Sequence, residues 1–360
     1  MSTHFHQLTV TRVTSETADG AAITLAVPPE LREAFAFKPG QFLTLRASID
    51  GVPQRRSYSI CSSTSRYARD GELEVGIKRV DGGVFSTWAT TQLKVGDTLD
   101  VMPPDGRFTP RQPGAVHRAG FAAGSGITPM LAIITCTLEG DVGSSFTLVY
   151  GNQRVSSIMF SEQLQDLKDR FAARFTLMHV LSRQPQEVAL FNGRLDMAKV
   201  SQLLQVSLPA TSIGEAFICG PAGMMGDTER ALLEAGIAKE RIHCERFLAD
   251  GAIAMTPTAR KPEEARTADV HLDVVMDGKT HHFGMSAEDH VLDIALEGGL
   301  DLPYSCRGGV CCTCRAKVME GRVQMDRNYT LEQWEIDKGF VLTCQSRPLT
   351  PRVVISYDER

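Results

Sequence analysis

The stretch Pro303–Lys317, PYSCRGGVCCTCRAK, carries four of the chain's nine cysteines. Cys306, Cys311 and Cys314 have the spacing C-x4-C-x2-C, and Cys344 follows further on in VLTCQSRP. This is the spacing with which four thiolates hold a [2Fe-2S] cluster. The cluster needs a loop that wraps it, so that thiolates and backbone N–H groups converge, and Gly308 and Gly309 supply the backbone freedom. N–H groups held close to the sulfides tune the reduction potential. A structural zinc site is the other reading of four cysteines, but zinc ribbons pair two short C-x2-C knuckles and the second is missing here. Cys312 lies between ligands and is expected to turn away from the cluster. Cys61, Cys136 and Cys244 read as core residues.

Outward from this loop, residues 268–360 read as a small α+β unit. HLDVVMDGKTHHFGM predicts a hairpin about Asp277-Gly278, HVLDIALEGGL a helix, and RVVISYD a tail strand. Residues 250–267 are small, charged and Pro-containing, and read as a linker. Across residues 113–249 strand and helix patterns alternate, which predicts a parallel α/β domain. Residues 1–112 hold six short β-type runs separated by ADG, KPG, IDG, RDG and PPDG turns. They predict an antiparallel meander closed into a small barrel. The chain has 360 residues, 42% of them hydrophobic and 22% charged, with a net charge of −5. That balance gives no basis for a nucleic-acid or anionic-membrane partner. The apolar stretch FAAGSGITPMLAIITC is too short and too interrupted to cross a bilayer. The N-terminal residues lack the pattern of a signal peptide, so the expectation is a cytoplasmic protein, where clustered cysteines hold metal rather than form disulfides.

Two further pairs of motifs belong together. RSYS (Arg56, Ser57, Tyr58, Ser59) sits on a barrel strand and alone reads only as an amphipathic strand. Lys78 and Val80 end a later strand, and GGVFS (Gly82, Gly83 to Ser86) then opens a helix whose N–H groups suit a phosphate. On one barrel these predict a flavin site. Arg56 would neutralise the pyrophosphate, and Tyr58 and Ser59 would line the isoalloxazine. GSGITP (Gly124, Gly126, Thr128, Pro129) follows a strand and opens a helix, as a dinucleotide-phosphate loop does, with Pro129 in place of the third glycine. CGPAGM, with Cys219, Gly220 and Pro221, makes a second such turn. Tight helix–strand packing is the other reading of both. No acid precedes Glu162 in YGNQRVSSIMF, so Arg154 with Ser156 or Ser157, and Arg183, suit a 2′-phosphate and NADPH.

With these motifs in this order, the chain resembles the ferredoxin–NADP reductase superfamily carrying a C-terminal plant-type ferredoxin domain. RSYS, GGVFS, GSGITP and CGPAGM match that family's motifs, and CERF (Cys244 to Phe247) matches its closing motif. The resemblance implies a β-grasp fold for the last domain and a flavin covered by Phe247, with FAD favoured over FMN. It implies that Ser59, Cys219 and Glu245 position the nicotinamide rather than do covalent chemistry. Electrons would pass from NADPH through FAD and the [2Fe-2S] cluster, leaving through an exposed loop Arg307–Cys312. The implied partner is a diiron oxygenase component that epoxidises the ring of phenylacetyl-CoA. The alternative is a Rieske-type ring-hydroxylating or ketosteroid oxygenase.

Overall fold

The structure is a computed structural model that describes residues 4–247 and 269–359. The expected linker, residues 250–267, lies outside the described residues. The described chain forms two compact units, the first holding the α/β domain and the barrel except Arg55–Ser57, and the second the C-terminal domain with Arg55–Ser57.

All six expected barrel strands are present. They are β1 (His6–Thr17), β2 (Gly20–Ala26), β3 (Phe42–Ile49), β4 (Val52–Ser59), β5 (Glu72–Lys78) and β6 (Thr98–Val101). Leu8, Ile23, Leu43, Val75 and Val101 fill the interior from alternate positions, as a period of two requires. The order is β4-β3-β6-β1-β2-β5, however, which is not the expected meander. The segments before β3 and before β6 are longer than hairpin turns, and the last strand returns to lie between β3 and β1. An antiparallel bridge between Ile60 and Val75 links the chain just after β4 to β5, the two outer strands of the sheet. Two short helices, α1 (Thr64–Asp70) and α2 (Val84–Thr91), flank β5 in sequence.

The α/β domain has five parallel strands, β7 (His117–Ala123), β8 (Ser145–Asn152), β9 (Phe175–Leu181), β10 (Glu215–Cys219) and β11 (Ile242–Glu245), in the order β11-β10-β7-β8-β9. Helices α3 (Ile127–Gly140) and α4 (Ser161–Arg170) contribute to one core, and α5 (Met197–Val206) and α6 (Ala222–Glu234) to another. The strand order reverses between β7 and β10. Ligands of such sheets bind at the carboxyl ends of the strands beside that reversal. GSGITP follows β7 and CGPAGM follows β10, so the two glycine turns flank that point.

At the other end of these strands lies an ionic cluster that the sequence did not announce. Glu215 is 1% exposed. Its Oε2 accepts from Arg118 Nε at 2.9 Å, and its Oε1 lies 3.2 Å from His243 Nε2. The Oε1 atom also accepts from the backbone N–H of Arg111 at 2.7 Å, while Arg118 Nη2 donates to the Gln112 carbonyl. The cluster therefore ties the chain leaving the barrel to three strands of the sheet.

The second unit comprises β12 (Val270–Met276), β13 (Lys279–Met285), α7 (Val291–Glu297), β14 (Arg315–Glu320), β15 (Val323–Met325), α8 (Gln333–Asp337), β16 (Phe340–Leu342), β17 (Ser346–Pro348) and β18 (Arg352–Ser356). The main sheet runs β13-β12-β18-β14-β16 with β12 and β18 parallel, and α7 packs its apolar face into the core. The β12–β13 turn has φ of 52° at Asp277 and 71° at Gly278, the signs a two-residue hairpin needs. Both N–H groups donate to the Asp358 carboxylate. No helix among the described residues is long and apolar enough to cross a membrane.

Candidate functional site: a thiol loop, a flavin strand and paired nucleotide turns

In the second unit the thiol loop is held by its own backbone. Arg307, Gly309 and Cys312 have φ of 52°, 77° and 57°, a left-handed run that curls the segment inward. The Gly308 N–H donates to Cys306 Sγ at 3.3 Å. A hydrogen bond from the Cys311 thiol, with N–H groups of Gly308, Val310 and Cys311, holds the Cys306 pKa down at about 6. Cys311 and Cys314 are pushed up, first by pairing with Cys306 and Cys344 respectively and then by burial. The four thiols thus come as two pairs. Four such thiols match the ligand count and spacing of a [2Fe-2S] cluster. The donor set fits a [2Fe-2S] cluster.

Cys312 Sγ lies 3.1 Å from Thr330 Oγ1, and its side chain belongs to the hydrophobic core. The expected exposure of Arg307–Cys312 needs correction. Cys311 and Cys312 are 8% and 7% exposed, and Arg307 is drawn in by Asp293 at 3.4 Å and by the Tyr304 ring.

On the barrel, β4 carries Arg56, Ser57, Tyr58 and Ser59. The Tyr58 ring packs 5.7 Å from Phe85 at the start of α2, and Phe85 meets Trp88 edge-on. Ser59 Oγ is buried with no hydrogen-bond partner within the protein. A hydroxyl left that way is costly, so the position fits a polar ligand atom. Gly82 has φ of 74° with open space where a Cβ would stand, and α2 starts without a side-chain cap. The turn thus leaves amides for a phosphate, as a flavin's pyrophosphate requires. Ser86 does not face that space freely, because its Oγ accepts the Val80 N–H at 3.2 Å and so holds the turn. Lys78 Nζ lies 3.5 Å from Asp19, and Arg56 Nη1 donates to the Arg55 carbonyl.

Of the nucleotide turns, Gly126 and Gly220 are demanded by packing. A Cβ on Gly126 would stand 2.1 Å from the Cys219 carbonyl, and one on Gly220 3.2 Å from Ala123 N. Gly124, with φ of 54°, faces open space instead. Packing therefore accounts for Gly126 and Gly220 but not for Gly124. Thr128 Oγ1 donates to the Ser125 carbonyl, and Pro129 lies in the first turn of α3, where its missing N–H costs no helix bond. Pro221 precedes α6 as its N-cap.

Cys219 and Glu245 are register partners at the ends of β10 and β11. Burial raises the Cys219 thiol well above its ordinary value and the Glu245 carboxyl to about 8. Phe247, two residues on, is 41% exposed. Arg154, Ser156 and Arg183 are exposed beyond the ends of β8 and β9. Arg183 N donates to the Gln153 carbonyl, so the two loops run side by side. The Ser157 hydroxyl is used within its own turn, donating to the Arg154 carbonyl at 2.7 Å.

Comparison with known proteins agrees with this geometry. Residues 7–109 match an oxidoreductase FAD-binding domain, residues 121–230 an oxidoreductase NAD-binding domain, and residues 274–349 a 2Fe-2S iron-sulfur cluster binding domain. The chain is 44% identical to one component of the 1,2-phenylacetyl-CoA epoxidase of Escherichia coli, over 99% of both chains. It is 36% identical to the ferredoxin reductase component of 3-ketosteroid-9-alpha-monooxygenase of Rhodococcus rhodochrous, over 97% of this chain and 96% of that one. Phthalate dioxygenase reductase shares the fold, with a TM-score of 0.58 at 21% identity over 98% of both chains. Paired thiols, an orphaned hydroxyl on a flavin-type strand and two glycine turns thus have one origin. The chain belongs to the ferredoxin–NADP reductase-like flavoproteins with a C-terminal [2Fe-2S] domain, the NAD(P)H-dependent reductase components of oxygenase systems.

Proposed function

We propose that this reductase takes its electrons from NADPH and delivers them to the diiron oxygenase component of a phenylacetyl-CoA epoxidase. The observation that carries the partner is the 44% identity, along the whole chain, to a component of the Escherichia coli epoxidase. Bound FAD accepts two electrons as a hydride and releases them singly, and the cluster carries one at a time. The chain's own part is to bind, orient and exclude water. Gly82, Gly83 and the first turn of α2 receive the flavin phosphates with Arg56. Tyr58 and Phe247 would pack on the ring, and Ser59 would offer it a buried hydroxyl without a partner in the protein. Gly124 and Pro221 would receive the dinucleotide, with Cys219 and Glu245 side by side at the strand ends where the nicotinamide would lie.

The coenzyme reading rests on Arg154, Ser156 and Arg183 and on the lack of an acid after β8. Arg154→Ala is expected to raise the KM for NADPH about ten- to a hundredfold and to leave that for NADH nearly unchanged. A charge-assisted contact is worth roughly 1.5–3 kcal/mol. Equal use of both coenzymes by the unmutated protein would contradict it.

The partner is tested by reconstitution. This protein, NADPH, oxygen and the epoxidase oxygenase component together should form the ring epoxide of phenylacetyl-CoA, and omission of the protein should stop the reaction. Failure there, with good support of a ketosteroid oxygenase, would move the assignment to that system.

A further inference from the structure

Gln345 follows the last cysteine of the loop set and is buried, at 6% exposure. Its Nε2 donates to the Arg307 carbonyl at 2.9 Å and to the Cys344 carbonyl at 2.8 Å, and reaches Cys344 Sγ at 3.7 Å. An amide nitrogen has two hydrogens. One is spent on Arg307, and the other is shared between the oxygen and the sulfur of Cys344. Arg307 is the left-handed residue immediately after Cys306. A Cβ on Gly309 would stand 3.4 Å from Gln345 Cγ, so the loop also packs on this side chain. The backbone carbonyl of Gln345 in turn accepts the Asp326 N–H at 2.8 Å. One carboxamide therefore joins the segment bearing Cys306, Cys311 and Cys314 to the segment bearing Cys344.

We propose that Gln345 is a positioning residue of the cluster site, with two effects. It fixes the spacing of the two thiol pairs, and its N–H beside Cys344 raises the reduction potential. The second effect follows from charge. Reduction adds a negative charge that spreads onto the thiolates, and a donor beside sulfur stabilises the more negative state. Loss of the clamp alone acts in the opposite direction on potential, because water entering an opened loop also stabilises the charged state.

The direction of the shift separates these two roles. Gln345→Met keeps the length and removes the donor. Gln345→Glu keeps the shape and places an acceptor there. In the holoprotein both are expected to lower the cluster midpoint potential. At fixed potential the ratio of reduced to oxidised cluster should fall by up to about tenfold, equivalent to about 59 mV for a one-electron couple. The effect of Glu should exceed that of Met. Cluster loss to a chelator should become several-fold faster, while flavin content and ferricyanide reduction stay as in the parent. If Gln345→Met takes up no cluster, Gln345→Glu carries the test. An unchanged or raised potential in both variants would overturn the donor role. An unchanged rate of loss would overturn the clamp.

Discussion

Cys314→Ser is expected to strip the protein of its cluster while leaving the flavin in place. Cys314 is 2% exposed and paired with Cys344. A serine hydroxyl at that depth has neither the acidity nor the softness that iron asks of a thiolate. Even an outer-shell partner of a metal ligand is worth about 10–100-fold in affinity, and a direct ligand is worth more. Cys312 cannot take over, because its sulfur lies against Thr330. Residues matching the FAD-binding and cluster-binding domains, 7–109 and 274–349, do not overlap in the chain. The variant should therefore still reduce ferricyanide with NADPH but lose most of its reduction of cytochrome c. Iron analysis and the visible spectrum check this, and unchanged iron would remove Cys314 from the ligand set. Cys312→Ser should keep the cluster.

The second large effect is on stability and lies at the strand ends opposite the glycine turns. Glu215→Gln removes the carboxylate that neutralises Arg118, itself 6% exposed. Breaking a buried pair from one side leaves an uncompensated charge, at a cost of about 3–5 kcal/mol. Burial pushes the Glu215 carboxyl up, but hydrogen bonds from His243, the Arg111 N–H and Arg118 outweigh it and hold the pKa at about 2. The folded value lies below the ordinary 4.5. The group's contribution is therefore full above about pH 4.5 and is lost as the pH falls towards 2. Urea unfolding at pH 7 should show the destabilisation. The difference between parent and variant should shrink below pH 4.5, and a constant difference down to pH 2 would contradict the assignment.

Much of this fold is legible in the sequence because two periods carry it. Alternation marks β1 to β6 and the helix–strand rhythm marks β7 to β10, since a residue's spacing decides whether it faces a core. The same period says nothing about which strand lies beside which. That is why alternation alone puts β6 at the end of a meander, whereas the fold sets it between β3 and β1. The thiol set is readable for a different reason, because ligand spacing is a property of the chain and not of its packing. Glu215 and Gln345 have no such signal. A glutamate at a strand start and a glutamine after a cysteine are ordinary in sequence, and only the fold brings His243 and Arg118 to one and Arg307 to the other. At Gly126 the sequence offers phosphate binding or close packing, and the distance to the Cys219 carbonyl shows that packing alone already requires a glycine there. The cluster loop is expected to be exposed because electrons must leave through it, while in the fold Asp293 and the Tyr304 ring draw Arg307 in.

The central claim is that one chain converts a hydride donor into single electrons through a flavin and then a cluster. An anaerobic titration of the holoprotein with NADPH, followed by optical and electron paramagnetic resonance spectra, tests it most directly. Full reduction is expected at about 1.5 equivalents of NADPH, two electrons for the flavin and one for the cluster. Flavin bleaching and the signal of a reduced [2Fe-2S] cluster should appear together, and the cluster signal should vanish in Cys314→Ser. A flavin that bleaches fully while the cluster of the parent protein stays oxidised would contradict the claim.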